Sequence, residues 1–332
     1  MTDKRILVTG GTGMVGQAFA TYPNCILVGT KDCDLKSYED IIKLICRHQP
    51  DVIIHLAAKV GGVQGNMKNQ DGFFHENLTI NTNVLRAAHV CNIDTVVSML
   101  STCIFPETPR EGMPYSENDL HDGEPHQSNF GYAYAKRMLE VQSRIYREQY
   151  GRKYVCVIPN NIFGPSDNFD LENGHVLPAI VRKIYEAKLT NERPVFWGNG
   201  KALRQFTYSK DVAKAIMTVI DRLEHVCKAN KLDGKSLYKS YTLINIGVNK
   251  EHSISSVVNK TCDIFGYDKF QVKWDEDKPN GIHRKPSDNG NFMNLFVDSS
   301  IAEESQFYTD FDVALKETCG WFATQYPKVR GI

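Results

Sequence analysis

Residues 9–16 read Thr-Gly-Gly-Thr-Gly-Met-Val-Gly, directly after the short apolar run Ile6-Leu-Val. The glycines satisfy two overlapping spacings: G-x-G-x-x-G at Gly11, Gly13 and Gly16, and G-x-x-G-x-x-G at Gly10, Gly13 and Gly16. A strand, a glycine turn and a helix in that order let a pyrophosphate approach bare backbone and meet the N–H groups of the first helical turn. Glycines needed only for turning do not require that setting. The loop Gly10, Gly11, Thr12, Gly13, Met14, Val15 and Gly16 therefore reads as the seat of a dinucleotide.

Further apolar runs follow at 25–29, 52–56, 95–100 and 154–159, and the first covers 5–9. None alternates with period two, which suits strands buried on both faces of a parallel sheet. Helical patterns lie between them. One starts at Ser37, with Asp40 at capping-box spacing, and others cover about 71–91 and 132–150. The rhythm predicts an α/β fold with an open, doubly wound parallel sheet and ligands at the carboxyl ends of its strands. After Pro159 the rhythm loosens. Residues 160–174 read as loop and a helix starts at 176–178, where Pro178 is tolerated in a first turn. Stretches 209–223 and 241–246 read as a helix and a strand returning to the sheet, and the polar stretch 228–239 as an exposed loop. From about 250 a smaller α/β lobe is expected. The division is then a cofactor-binding domain over 1–164 with return segments at about 207–247, and a substrate lobe over 165–206 and 248–332.

The chain has 332 residues, 42% of them hydrophobic, with 39 basic against 39 acidic side chains. That is globular composition, too apolar for disorder, and its neutral sum excludes a polyelectrolyte that coats nucleic acid or membrane. Nine scattered cysteines without a C-x-x-C pair read as reduced thiols and not as a disulfide or metal framework. No signal peptide or membrane span is expected, so the reading is a soluble cytoplasmic protein with no metal.

The second strand ends at Gly29-Thr30-Lys31, where a site preferring NAD would place a carboxylate for the ribose. A hydroxyl and a cation stand there instead and favour the 2′-phosphate of NADPH, although Asp32 or Asp34 could serve as the acid. Asp34-Leu35 then lies beside the adenine. Tyr132-Ala-Tyr-Ala-Lys136 puts a phenol and an ammonium at i, i+4 on one helix face, so the cation can stabilise a phenolate. Spacing selects Tyr132 over Tyr134. The fourth strand ends in Leu100-Ser-Thr-Cys-Ile-Phe-Pro106. There Ser101 can bond a substrate carbonyl while Tyr132 protonates the developing alkoxide. If this segment stays extended, Ser101 and Cys103 face the same way and Thr102 turns aside.

Together with Ala57-Ala-Lys-Val-Gly-Gly62, Pro159-Asn-Asn-Ile-Phe-Gly-Pro-Ser-Asp-Asn-Phe169, Gly174-His-Val-Leu-Pro178 and Phe196-Trp-Gly-Asn-Gly-Lys-Ala-Leu-Arg204, these motifs resemble the extended short-chain dehydrogenase/reductases. Within them the chain resembles the GDP-L-fucose synthase family of 3,5-epimerase/4-reductases, over essentially its whole length. The resemblance implies NADPH/NADP+ as cofactor, GDP-4-keto-6-deoxy-D-mannose as substrate and a homodimer built on the helices at 71–91 and 132–150. It implies a catalytic set of Ser101, Tyr132 and Lys136, with Cys103 as epimerisation base and His175 as acid. It extends the cofactor site to Leu56, Ala57, Ala58, Pro159, Asn161, Ile162 and His175. It lines the substrate site with Asn161, Val176, Lys183, Trp197 and Arg204. Thr12 and Lys183 stand where bacterial members carry Arg, and residues 281–295 match poorly and receive no role. The alternatives are another nucleotide-sugar epimerase, dehydratase or reductase of this fold, or a silent NADP-binding regulator. Dehydratases carry an acidic pair where this chain has Ser-Thr-Cys, and a regulator has no use for the catalytic set.

Overall fold

A computed structural model describes residues 3–108, 114–230, 242–278, 283–296, 301 and 303–332. The first half runs β1 (Ile6–Thr9), α1 (Met14–Ala18), β2 (Cys25–Val28), α2 (Tyr38–His48), β3 (Val52–His55), α3 (Val63–Lys68), α4 (Gln70–Val90), β4 (Thr95–Met99), α5 (Phe130–Tyr150) and β5 (Lys153–Ile158). Then come β6 (Asn161–Phe163), α6 (Val176–Thr190), β7 (Val195–Trp197), β8 (Leu203–Tyr208), α7 (Ser209–Asn230) and β9 (Leu243–Asn245). The remainder holds β10 (Glu251–Ser253), α8 (Ile254–Phe265), β11 (Lys273–Asp275), α9 (Gly290–Met293), α10 (Glu304–Phe307) and α11 (Phe311–Gln325).

Six strands form one parallel sheet in the order β2-β1-β3-β4-β5-β9. Its strands lack polar alternation because both faces are covered. Ile6 and Val8 of β1, Val52 and Ile54 of β3, and Val155 and Val157 of β5 pack with Val212, Ile216 and Val219 of α7. The intervening Leu7, Ile53, Val96, Tyr154 and Cys156 pack with Ile41 of α2, Val84 and Leu85 of α4 and Leu139 of α5. The chain leaves β1 for β2 on one side and returns to β3 on the other. That reversal opens a crevice at the carboxyl ends of β1 and β3, where ligands of such sheets bind. Ser37 caps α2 as its spacing predicts, its hydroxyl accepting from Asp40 N at 3.3 Å.

A second part of the molecule has its own sheets, β10-β8-β6 and β11-β7, and its own core. Phe163, Phe169, Leu177, Ile180, Phe206 and Phe322 belong to that core, between α6, α8 and α11. The stretch 160–174, expected to be loop throughout, contains β6, because Asn161–Phe163 finds an extended partner in Phe206–Tyr208. No local pattern announces that pairing. Helix α7 outruns its expected end at 223 and reaches Asn230, so the start of the polar stretch 228–239 is helical and its remainder lies outside the described residues. Among the described residues no helix is long and apolar enough to cross a membrane.

Candidate active site

The glycine loop follows β1 as the spacing requires. Gly10 has φ +72, and a Cβ on it would stand 2.8 Å from Ala57 N. A Cβ on Gly11 would stand 2.6 Å from Val28 N. Side chains are therefore shut out of a cradle bounded by the ends of β1, β2 and β3. Gln17 Nε2 braces it by donating to Gly11 O at 3.0 Å. Gly13 caps α1 without a side-chain hydrogen bond, so the first N–H groups of that turn face the cradle uncapped. These residues fit a dinucleotide pyrophosphate.

Lys31 is exposed beyond β2. Asp32 accepts from Gly29 N at 2.8 Å through one carboxylate oxygen, and Asp34 accepts from Lys36 N at 3.0 Å. Leu56, Ala57 and Ala58 continue β3 into the crevice, and Leu56 N donates to Thr9 O at 3.2 Å. Pro159, Asn161 and Ile162 follow β5, where Asn161 Nδ2 donates to Gln205 O at 2.8 Å.

Beyond β4 the chain does not stay extended. Residues Thr102–Ile104 form a 3-10 turn capped by Ser101, whose Oγ accepts from Cys103 N at 3.3 Å. The alternation argument for Cys103 therefore fails. The turn, not a strand, sets its direction, and the thiol still comes close enough to Tyr132 to act on it electrostatically. Two consecutive residues of α5 clamp this turn at both ends. Lys136 Nζ donates to Met99 O at 2.8 Å, and Arg137 Nε donates to Ile104 O at 2.7 Å. The Lys136 ammonium lies 6.0 Å from the Tyr132 ring centroid.

Burial, followed by Cys103, pushes the Tyr132 phenol well above its usual range, so Tyr132 carries its proton at neutral pH. Burial pulls Lys136 down to about 8, with Cys156 opposing. Nearby His55, buried between Thr9 Oγ1 at 2.8 Å and Asn81 Oδ1 at 3.0 Å, is held neutral at about 3, chiefly by burial and then by Lys136. The site thus presents a protonated donor beside a buried, desolvated cation.

His175 is the N-cap of α6. The residues before it are pinned over the end of β3, where Gly62 N donates to Asn173 O at 2.8 Å. His175 is exposed, yet surrounding protein and then Arg330 lower its basicity, leaving it mostly neutral at pH 7. In the second part of the molecule Val176 is exposed at the start of α6. Lys183 of α6 donates to Val195 O at 3.0 Å, two residues from Trp197, which is 55% exposed for a large aromatic. Arg204 of β8 is partly desolvated and bonds Leu203 O at 2.7 Å.

The structure adds a cation that sequence reasoning missed. Lys285 lies in the stretch left without a role, yet its Nζ sits 3.4 Å from Phe105 O and 5.6 Å from the Tyr115 ring centroid. Burial lowers its basicity; Cys103 and Glu107 support its charge, while Arg137 and Arg204 oppose it. Lys285 therefore joins the thiol turn to the Arg204 arm. Long-range pairing brings it there: Tyr115 N donates to Pro286 O and Leu203 N to His283 O, each at 2.8 Å. Nothing local in the sequence signals such a contact.

Comparison with known proteins agrees with this geometry. Residues 6–231 match the NAD dependent epimerase/dehydratase family. The chain is 38% identical to a GDP-L-fucose synthase of Dictyostelium discoideum, over 99% of this chain and 98% of that one. It is 34% identical to a probable GDP-L-fucose synthase of Drosophila melanogaster, over 98% and 99%. Among solved structures, a GDP-L-fucose synthetase from Naegleria fowleri bound to NADP superposes with a TM-score of 0.84 at 35% identity, covering 99% of this chain and 96% of that one. The chain belongs to the NAD dependent epimerase/dehydratase family, within its GDP-L-fucose synthase group.

Proposed function

We propose that this chain catalyses the NADPH-dependent 3,5-epimerisation and 4-keto reduction of GDP-4-keto-6-deoxy-D-mannose to GDP-L-fucose. The observation that carries the reading is a serine, a thiol and a protonated phenol gathered at the end of β4 in a chain akin throughout its length to GDP-L-fucose synthases. The glycine cradle holds the pyrophosphate of the cofactor, Lys31 attracts its 2′-phosphate, and Asp34, Leu35, Leu56–Ala58, Pro159 and Ile162 line its course. When bound, NADPH supplies the hydride that reduces C4.

The protein's own groups move the protons. The 4-keto group acidifies the hydrogens at C3 and C5, and Cys103 removes each. The minor imidazolium form of His175 donates a proton on the opposite face, after which the protonated Cys103 loses its proton to solvent and the neutral His175 takes one up. Ser101 bonds the C4 oxygen, and Tyr132 delivers its proton there as negative charge develops. Lys136 steadies the phenolate left behind. Asn161, Val176, Lys183, Trp197 and Arg204 hold the nucleotide end, where Trp197 provides an apolar wall and the two cations meet phosphate. The division into a cofactor-binding domain and a substrate lobe is supported by the separate cores above and beside this site.

Two copies associate through α4 and α5. Phe74, Phe130, Tyr134 and Met138 line an open apolar groove of about 690 Å3 on these helices. The two helices pack tightly there because Gly131, whose N donates to Gln70 Oε1 at 2.7 Å, has no side chain. The protein works in the cytoplasm, in keeping with free thiols at eight of its cysteines.

The test is NADPH consumption followed at 340 nm (roughly the absorbance maximum of reduced nicotinamide). Oxidation should require GDP-4-keto-6-deoxy-D-mannose and be absent with GDP-mannose. Equal consumption with either sugar, or with neither, contradicts the reading.

A further inference from the structure

Lys285 is fastened to the turn that carries Cys103. Its Nζ donates to Phe105 O at 3.4 Å, two residues past the thiol. Phe105 stacks on Tyr115 with ring centroids 4.9 Å apart, and Tyr115 Oη donates to Pro106 O at 2.7 Å. The chain on either side of Lys285 is pinned as well. Arg284 Nε donates to Glu251 Oε2 at 2.7 Å, and Ser287 N donates to Gln205 Oε1 at 2.9 Å. The backbone beneath this ammonium is therefore fixed relative to the thiol turn.

Lys285 is half-buried and has no carboxylate at ion-pair distance among the described residues. After burial, Cys103 weighs most on it and supports its charge; Arg137 opposes, Glu107 supports and Arg204 opposes. Glu107 is shared with His126, whose Nε2 lies 3.5 Å from Oε1. The other cations at the turn are committed elsewhere. Lys136 bonds Met99 O and has Cys156 as its supporting charge, while Arg137 bonds Ile104 O and has Tyr134 and Glu124. The remaining ionisable neighbour of Cys103 is the protonated Tyr132 phenol. A thiol removes a proton only as thiolate, and an ordinary thiol is mostly protonated at pH 7. A cation close by raises the thiolate share. We propose that Lys285 is the counter-ion of the Cys103 thiolate, a positioning residue for removal of the C3 and C5 hydrogens and not for hydride delivery to C4. As the thiolate takes each proton, the C–H electron pair passes into the enolate and the sulfur becomes neutral. The inference rests on the base role given to Cys103 above.

Alkylation of Cys103 by iodoacetamide, followed by peptide mass spectrometry on the whole protein across about pH 6–10, reads the thiolate without any sugar. Lys285→Met should slow alkylation at pH 7 about tenfold and move its midpoint up by about one pH unit. Lys285→Arg should keep both near the wild type, which a loss of folding in the first variant would not explain. GDP affinity by calorimetry should change less than about threefold. An unchanged alkylation profile in Lys285→Met overturns the proposal, and a weakened GDP constant beside it would assign the ammonium to phosphate. Turnover in D2O then joins the thiol to the chemistry: Lys285→Met should lower deuterium incorporation at C3 and C5 about tenfold. A shifted profile with no incorporation by the wild type would sink the base role of Cys103 and leave the counter-ion itself supported.

Discussion

Lys136 carries a conflict between stability and chemistry. It is 1% exposed and has no carboxylate partner among the described residues, and its folded-state value of about 8 lies below the ordinary 10.5. A lysine depressed in this way destabilises the fold while both states are protonated, below about pH 8, and the penalty fades as pH rises from there toward 10.5. Lys136→Met should therefore raise stability at pH 7 by about 1–3 kcal/mol in denaturant titrations, while removing the 4-keto reduction. Wild-type reduction should fall as pH climbs through about 8, because the neutral amine no longer steadies the phenolate. A rate that is flat to pH 9.5 contradicts the role given to this ammonium. The Tyr132–Lys136 pair was legible from spacing alone, since i and i+4 share a helix face. Its protonation state was not. Burial and the nearby thiol hold the proton on Tyr132, the form that a proton donor needs.

Helix α5 acts on the turn after β4 through two backbone acceptors, Met99 O and Ile104 O, which bracket Ser101 and Cys103. Arg137 supplies the second of these bonds and is 4% exposed. Arg137→Met should leave NADPH binding near the wild-type constant but lower proton exchange at C3 and C5 more than tenfold, because the thiol loses its fixed direction. Equal losses in cofactor affinity and exchange would mean that Arg137 only supports the fold. The sequence marked this segment as reactive by its place at a strand's carboxyl end. The 3-10 turn was not legible because the side chains that clamp it come from residues 33 or more positions away. Lys285 was hidden for the same physical reason at longer range: its neighbours are set by tertiary pairing with residues near 115 and 203.

At the level of the whole chain, the apolar runs told the central sheet well because both of its faces are buried, so each strand is nearly all apolar. The second part was less legible, since its strands are three to six residues long and pair across 40 or more positions. The balance of 39 basic and 39 acidic residues conceals a local asymmetry. Lys31, Lys183 and Arg204 stand where the proposed function expects phosphates. Association through α4 and α5 predicts that Phe74→Glu with Phe130→Glu turns a dimer into a monomer in sedimentation velocity, whereas an unchanged mass moves the interface elsewhere. The central claim is that one pocket both exchanges protons at two carbons and reduces the ketone between them. Turnover of GDP-4-keto-6-deoxy-D-mannose with NADPH in D2O, read by NMR of the product, addresses it most directly. GDP-L-fucose with deuterium at both C3 and C5 is the expected product, and a reduced product with hydrogen retained at both positions would contradict the single-pocket mechanism.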